Sequence, residues 1–270
     1  MEKLVRCWSW KEIASYQTKA VARLTTGVAA IDTGLRGLPS NAIHVFVGSP
    51  KQGKSWAIES LGLWLAQNHE VVLVSCENGI NNDAERLQVM ERTMEQQDVT
   101  KVPNLAYYDL ARISGAEGLA QLKQIVAAYD DVDAEEQLRQ MSEQGYEGLT
   151  YAGDEPMRVL IIDAPERLVD TGTLEQTHQL GRQFVDWLIT IKDKWTIICS
   201  WQATKSAIDK QGALSSADLS GSSAISQACD SFWFVKDKAF WCCNARQDIV
   251  LNRRIRFEPG KGISKTANLT

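Results

Sequence analysis

Apolar residues along this chain gather in short, nearly continuous runs. Ile43-His44-Val45-Phe46-Val47, Val71-Val72-Leu73-Val74-Ser75-Cys76, Val159-Leu160-Ile161-Ile162 and Trp195-Thr196-Ile197-Ile198-Cys199-Ser200-Trp201 are rich in β-branched residues. Strands buried on both faces read this way, because helices cover each side of a parallel sheet. Between the runs the period changes. Residues 56–65, 84–94 and 118–129 read as helices, and Leu174, Thr177, Gly181, Phe184, Leu188 and Ile191 recur at helical spacing over residues 173–192. Leu105-Ala106-Tyr107-Tyr108 reads as a short strand. Ser231-Phe232-Trp233-Phe234-Val235, Phe240-Trp241-Cys242-Cys243 and Ile249-Val250-Leu251 read as closing strands, the last running on through Arg256. This alternation predicts an α/β fold: a mostly parallel central sheet flanked by helices, with antiparallel strands near the C-terminus.

The first run leads directly into Gly48-Ser49-Pro50-Lys51-Gln52-Gly53-Lys54-Ser55, a complete G-x-x-x-x-G-K-[ST] sequence between a strand and a helix. Gly48 and Gly53 allow the backbone to curl until successive N–H groups face phosphate oxygens. Lys54 can reach β- and γ-phosphates, and the Ser55 hydroxyl can ligate Mg²⁺. The helix that follows points its positive N-terminus at the same place. The chain is therefore expected to bind a nucleoside triphosphate.

In open α/β sheets, ligands bind at the carboxyl ends of the strands. Three further strand ends carry polar residues there. Glu77 follows the second run and is either a solvated turn residue or a catalytic carboxylate. Asp163 ends Arg158-Val159-Leu160-Ile161-Ile162-Asp163, the pattern of a carboxylate that orients Mg²⁺ behind a phosphate loop. Gln202 follows Trp201 and either senses the γ-phosphate or pairs with backbone. Residues 203–219 are polar and turn-rich, a mobile loop carrying Lys205 and Lys210.

Composition narrows the partners. With 44% hydrophobic residues, the 270-residue chain can bury a large core. No apolar run is long enough to span a membrane, and the charged start is not that of a signal peptide. Six cysteines show neither C-x-x-C pairing nor zinc spacing, so they read as reduced thiols in a cytoplasmic protein. A net charge of −5 supplies no general attraction to nucleic acid, so contact with DNA needs a local basic surface. The acidic stretch from Asp130 to Glu136 reads as solvated surface.

Taken together, the motifs resemble the RecA-like ATPase core of DnaB-family replicative helicases. The resemblance rests on Thr26-Gly27 with Ile31-Asp32 and Gly37-Leu38, on the phosphate loop, on Ser75-Cys76-Glu77 and on Ser200-Trp201-Gln202. Its most specific part is Asp218-Leu219-Ser220-Gly221-Ser222-Ser223-Ala224-Ile225-Ser226-Gln227-Ala228-Cys229-Asp230, which matches D-L-x-x-S-x-x-I-x-Q-x-x-D. It implies ATP and Mg²⁺ as cofactors, Lys54 and Ser55 on phosphate and metal, Asp163 orienting the metal and Glu77 polarising the attacking water. It also implies Gln202 coupling the γ-phosphate to the following loop, and Lys205 and Lys210 facing single-stranded DNA in a central channel. An arginine finger given to the neighbouring subunit would be Arg254, with Arg253 and Arg256 next. A head-to-tail homo-oligomer follows, a hexamer in this family, with a primase or loader as partner.

On this reading residues 1–25 are a lead-in that either covers its own domain or docks on a neighbour, residues 26–258 are the ATPase domain, and residues 259–270 are a flexible tail. The chain departs from the family in its blurred Asn252-Arg253-Arg254 motif, in Ser220 and Gly221, and in the bulky Trp56. The family's N-terminal domain and a primase module are not in this sequence, a compact form that suggests a phage or other mobile element. Two other classes share the core: a RecA-like recombinase filament and a KaiC-like or loader-type regulatory ATPase.

Overall fold

The computed structural model of the chain describes residues 22–97, 104–130, 157–170, 172–204, 223–267 and 269. Two short strands, β1 (Arg23–Leu24) and β2 (Leu38–Pro39), pair antiparallel around the one-turn helix α1 (Ala29–Asp32). Asp32 holds this segment in shape, its carboxylate accepting from the Thr26 N–H at 2.8 Å, the Thr26 hydroxyl at 2.7 Å and the Gly27 N–H at 2.8 Å. The remaining elements in chain order are β3 (Ile43–Gly48), α2 (Lys54–Leu65), β4 (Glu70–Ser75), α3 (Ile80–Glu95), β5 (Leu105–Asp109), α4 (Gly115–Asp130), β6 (Arg158–Asp163), α5 (Glu166–Val169), α6 (Leu174–Ile191), β7 (Trp195–Gln202), α7 (Ser223–Ala228), β8 (Ser231–Lys236), β9 (Ala239–Ala245) and β10 (Ile255–Arg256).

The main sheet runs β10-β9-β8-β3-β7-β6-β4-β5. From β8 to β5 every neighbour pairs parallel, and only β9 and β10 turn antiparallel. Alternate side chains of each inner strand enter opposite cores. Val45, Val47, Val72, Val74, Leu160 and Ile162 face α4 and α6, packing with Leu122, Phe184 and Leu188. Phe46, Val71, Leu73, Val159 and Ile161 face α2 and α3, packing with Ile58, Leu61, Trp64 and Met90. Both faces are dry, which is why these strands read as unbroken apolar runs.

The end of the Asp218–Asp230 stretch is structural. Ile225 is fully buried, and Asp230 accepts the Ile43 N–H at 3.0 Å, fastening the start of β3 beside β8. Among the described residues the five cysteines are free thiols, four of them buried, and no helix is long and apolar enough to cross a membrane.

Two expectations need correction. Residues 259–267 are not a loose tail. Ile263 is 1% exposed; its N–H donates to Ser60 Oγ at 2.7 Å, and its carbonyl accepts Trp64 Nε1–H at 2.8 Å. The cause lies in α2, where Ala57 through Leu65 are all buried. A helix that is covered all round needs a partner on its outer side, and the polar atoms of Ser60 and Trp64 need hydrogen bonds there. Nor do Ile249-Val250-Leu251 form a strand. The position beside β9 is taken by Ile255 and Arg256, paired with Phe240 and Ala239, and the chain before them turns at Asn252 with φ 60°. Ile249 is buried without a strand partner, while Leu251 is 44% exposed.

Candidate active site

Strand register brings the polar strand ends together. Parallel pairing sets Gly48 of β3 opposite Gln202 of β7, and Ser75 of β4 opposite Asp163 of β6. The Cys76 N–H then bonds the Asp163 carbonyl at 2.5 Å, so Glu77 leaves the sheet beside Asp163. Glu77, Asp163 and Gln202 open onto one cavity of about 620 Å³. Its walls are residues 50–56 of the loop and α2, then Glu77, Asn78, Arg86, Asp163 and Gln202. On the side of the β8–β9 turn they are Asp237, Lys238 and Pro259.

The loop itself depends on its glycines. Gly53 has φ 88°, a left-handed backbone, and a Cβ there would lie 2.8 Å from the Phe257 ring. A Cβ on Gly48 would lie 2.5 Å from the Val235 carbonyl oxygen. Lys51 also takes a left-handed conformation, at φ 65°. Gln52 accepts the Asp237 N–H at 3.2 Å, tying the loop to the β8–β9 turn. The Lys54 ammonium donates to the carbonyls of Gly48 at 2.9 Å and Ser49 at 3.3 Å. Burial pulls it below its usual pKa, while the charges of Glu166, Asp163 and Glu77 oppose that shift.

Asp163 is 2% exposed. One carboxylate oxygen accepts the Ser200 hydroxyl at 2.5 Å; the other, Oδ2, is buried with no hydrogen-bond partner among the described residues. Burial pushes this carboxyl above the usual range, against the Ser200 hydrogen bond and the nearby Ser55 hydroxyl. An orphaned, desolvated oxygen beside a serine hydroxyl fits a divalent cation. Mg²⁺ keeps most of its waters and takes only one or two protein ligands with the substrate phosphates, so a set of Ser55 and Asp163 suffices.

Sequence reasoning missed Glu166, three residues beyond Asp163 at the start of α5. Glu166 as a residue is only half-buried, but its carboxyl reaches inward. One oxygen accepts the backbone N–H of Gln202, and the other is buried with no partner among the described residues. Burial pushes this carboxyl up to about 7, with Lys54 opposing. The visible clue was a second acid in Asp163-Ala164-Pro165-Glu166, since a strand end bearing one buried carboxylate can seat another. Arg86 was also missed, because nothing in a helical run marks which polar side chain turns toward a site. Glu77 is exposed on its turn and lines the cavity, as Gln202 does.

Arg254 is not among the residues lining this chain's cavity. Its guanidinium lies 4.6 Å above the Trp241 ring, and Arg253 and Arg256 are exposed beside it. Lys205, Lys210 and Asp218 through Ser222 lie outside the described residues, as do residues 1–21 and the acidic stretch from Asp131.

No protein-family model matches the sequence, and no curated protein does. Solved structures match over nearly the whole chain. A DnaB-like replicative helicase, described with its interactions with primase, superposes with TM-score 0.60 at 14% identity, over 94% of this chain and 66% of that one. This chain thus spans just under two thirds of that helicase. A second solved structure, an ATPase domain on its own, matches with TM-score 0.58 at 14% identity, over 94% of this chain and 95% of that domain. A KaiC-like protein from Pyrococcus horikoshii OT3 matches with TM-score 0.54 at 11% identity, covering 92% and 100%. At such identities the likeness speaks to architecture alone, and it agrees with the strand order described above: the chain has the RecA-like fold that these domains share.

Proposed function

We propose that this chain hydrolyses ATP and uses the cycle to move along single-stranded DNA as a ring of subunits, in the manner of a DnaB-type helicase. The observation that carries the reading is the meeting, in one cavity, of a complete phosphate loop with Asp163, Glu77 and Gln202 at the ends of adjacent strands. Residues 48–55 would wrap the phosphates with backbone N–H groups, and Lys54 would exchange the Gly48 and Ser49 carbonyls for phosphate oxygens. Ser55 and Asp163 would hold Mg²⁺, whose charge, when bound, offsets that developing on the phosphates. Glu77 would orient the attacking water and take its proton. Gln202 would read the state of the γ-phosphate at the head of the segment bearing Lys205 and Lys210, which would grip DNA phosphates. Arg254, exposed and outside its own chain's cavity, would reach the site of the next subunit as a finger, and a primase or loader would dock on the assembly.

ATP turnover measured with and without a single-stranded oligonucleotide tests this, with electron micrographs of the protein on that oligonucleotide and an ATP analogue. Stimulation by DNA and closed rings are expected. Open filaments would favour a recombinase. Turnover indifferent to DNA, with no DNA bound, would overturn the motor and favour a regulatory ATPase of the KaiC-like kind, whose fold also matches.

A further inference from the structure

Beneath the cavity lies a buried ion network that the hydrolytic residues leave unexplained. Arg86, on α3, donates through Nε to Glu59 Oε2 at 2.9 Å and through Nη2 to Glu59 Oε1 at 2.6 Å. Nη2 also donates to Asp83, whose second oxygen accepts the Tyr107 hydroxyl at 2.9 Å. The side chains of Glu59 and Asp83 are each 1% exposed and that of Arg86 is 16% exposed. Glu59 stands one helical turn after Ser55 on α2, and Asp83 and Arg86 stand within two turns of the Glu77 turn on α3. The fork therefore joins the helix that carries the phosphate loop to the helix that follows Glu77. Asp109 fixes the start of α3 from the other side, accepting the Ile80 N–H at 2.9 Å.

Arg86 is more than a strut. It lines the cavity with Glu77 and Asp163, and its Nη1 makes no hydrogen bond to the described residues. Buried ion pairs seldom raise stability over an apolar pair of like volume, so a largely buried network is weak as a stabilising device alone. We propose that Arg86 is a positioning residue for hydrolysis: it holds the Glu77 turn at a set distance from the phosphate loop and keeps a positive charge on the Glu77–Asp163 side of the cavity. The inference rests on the proposed ATP hydrolysis. A displacement of about 1 Å in such a site can cost about a hundredfold in rate.

The test compares Arg86→Gln, Arg86→Lys and the double variant Glu59→Gln/Arg86→Gln in the full chain. Melting temperature, affinity for a fluorescent ATP analogue with Mg²⁺, and kcat with KM are measured for each. Arg86→Gln should melt lower, because Glu59 and Asp83 lose their counter-charge, and the double variant should recover much of that loss. In both, kcat should fall about a hundredfold while analogue affinity stays within about threefold. Arg86→Lys, which keeps the charge without the two-edged fork, should fall between them and the parent. A double variant that regains its melting temperature together with near-parental kcat would overturn the proposal, leaving Arg86 a structural residue. So would analogue affinity lost in step with kcat. A parent protein without ATP turnover would instead refute the proposed function, and this inference with it.

Discussion

Replacing Glu166 by Gln isolates the cost of a buried carboxylate next to the phosphate loop. The amide keeps the size of the side chain and an oxygen to accept the Gln202 N–H, but it cannot ionise. Burial raises the Glu166 carboxyl from 4.5 to about 7. Between those values the folded chain holds a proton that the unfolded chain has released. Stability contributed by the protonated group is therefore full below about pH 4.5 and is lost as pH rises through about 7. The shift corresponds to on the order of 3 kcal/mol, reduced in practice by relaxation around the charged form. Urea unfolding of parent and variant, from pH 4.5 to 8 in EDTA without nucleotide, should thus show near-equal stability in acid and a growing advantage for Glu166→Gln as pH rises. Groups common to both proteins cancel in the difference. A gap that stays constant with pH, or that shrinks toward pH 8, would refute the assignment of Glu166 as a desolvated acid.

Four other outcomes are expected. Glu77→Gln should bind ATP analogue normally and lose about two orders of magnitude or more in turnover, as when water activation is removed; near-normal hydrolysis by the purified variant would return Glu77 to a solvated turn. Mixing Lys54→Ala with Arg254→Ala subunits should recover some turnover, since one interface then pairs an intact loop with an intact finger; dead mixtures of variants that still assemble would exclude Arg254 as a finger in trans. Lys205→Ala with Lys210→Ala should weaken single-strand binding most at low salt and flatten its log–log salt dependence by about 0.7 per lost contact; an unchanged slope in binding titrations would remove these lysines from the grip. Trp64→Phe should lower stability by about 1–3 kcal/mol by leaving the buried Ile263 carbonyl unpaired; calorimetry showing no loss would mean that the C-terminal segment does not dock on α2 in solution.

Local patterns were enough for much of this molecule. The β-branched runs at Ile43, Val71, Val159 and Trp195 are parallel strands because a strand dry on both faces must be apolar on both, and that demand is written position by position. The phosphate loop was equally legible as a motif of fixed spacing, and Gly53 is required there by its left-handed backbone. Asp163, Glu77 and Gln202 could be named because strand ends in such sheets converge by topology. What tertiary structure alone decided involves partners far apart in sequence. Glu166 and Arg86 sit in helical stretches whose polar residues look alike until packing turns one toward the cavity and another toward solvent. The C-terminal segment reads as polar and loose, yet it is held because α2, nearly 200 residues earlier, presents Ser60 and Trp64 on a face that must be covered. Ile249-Val250-Leu251 has strand composition, but Ile255 and Arg256 occupy the edge it would need. A sequence states what each residue can do nearby; which distant group competes for the same place, or completes the same hydrogen bond, is settled only when the chain closes on itself.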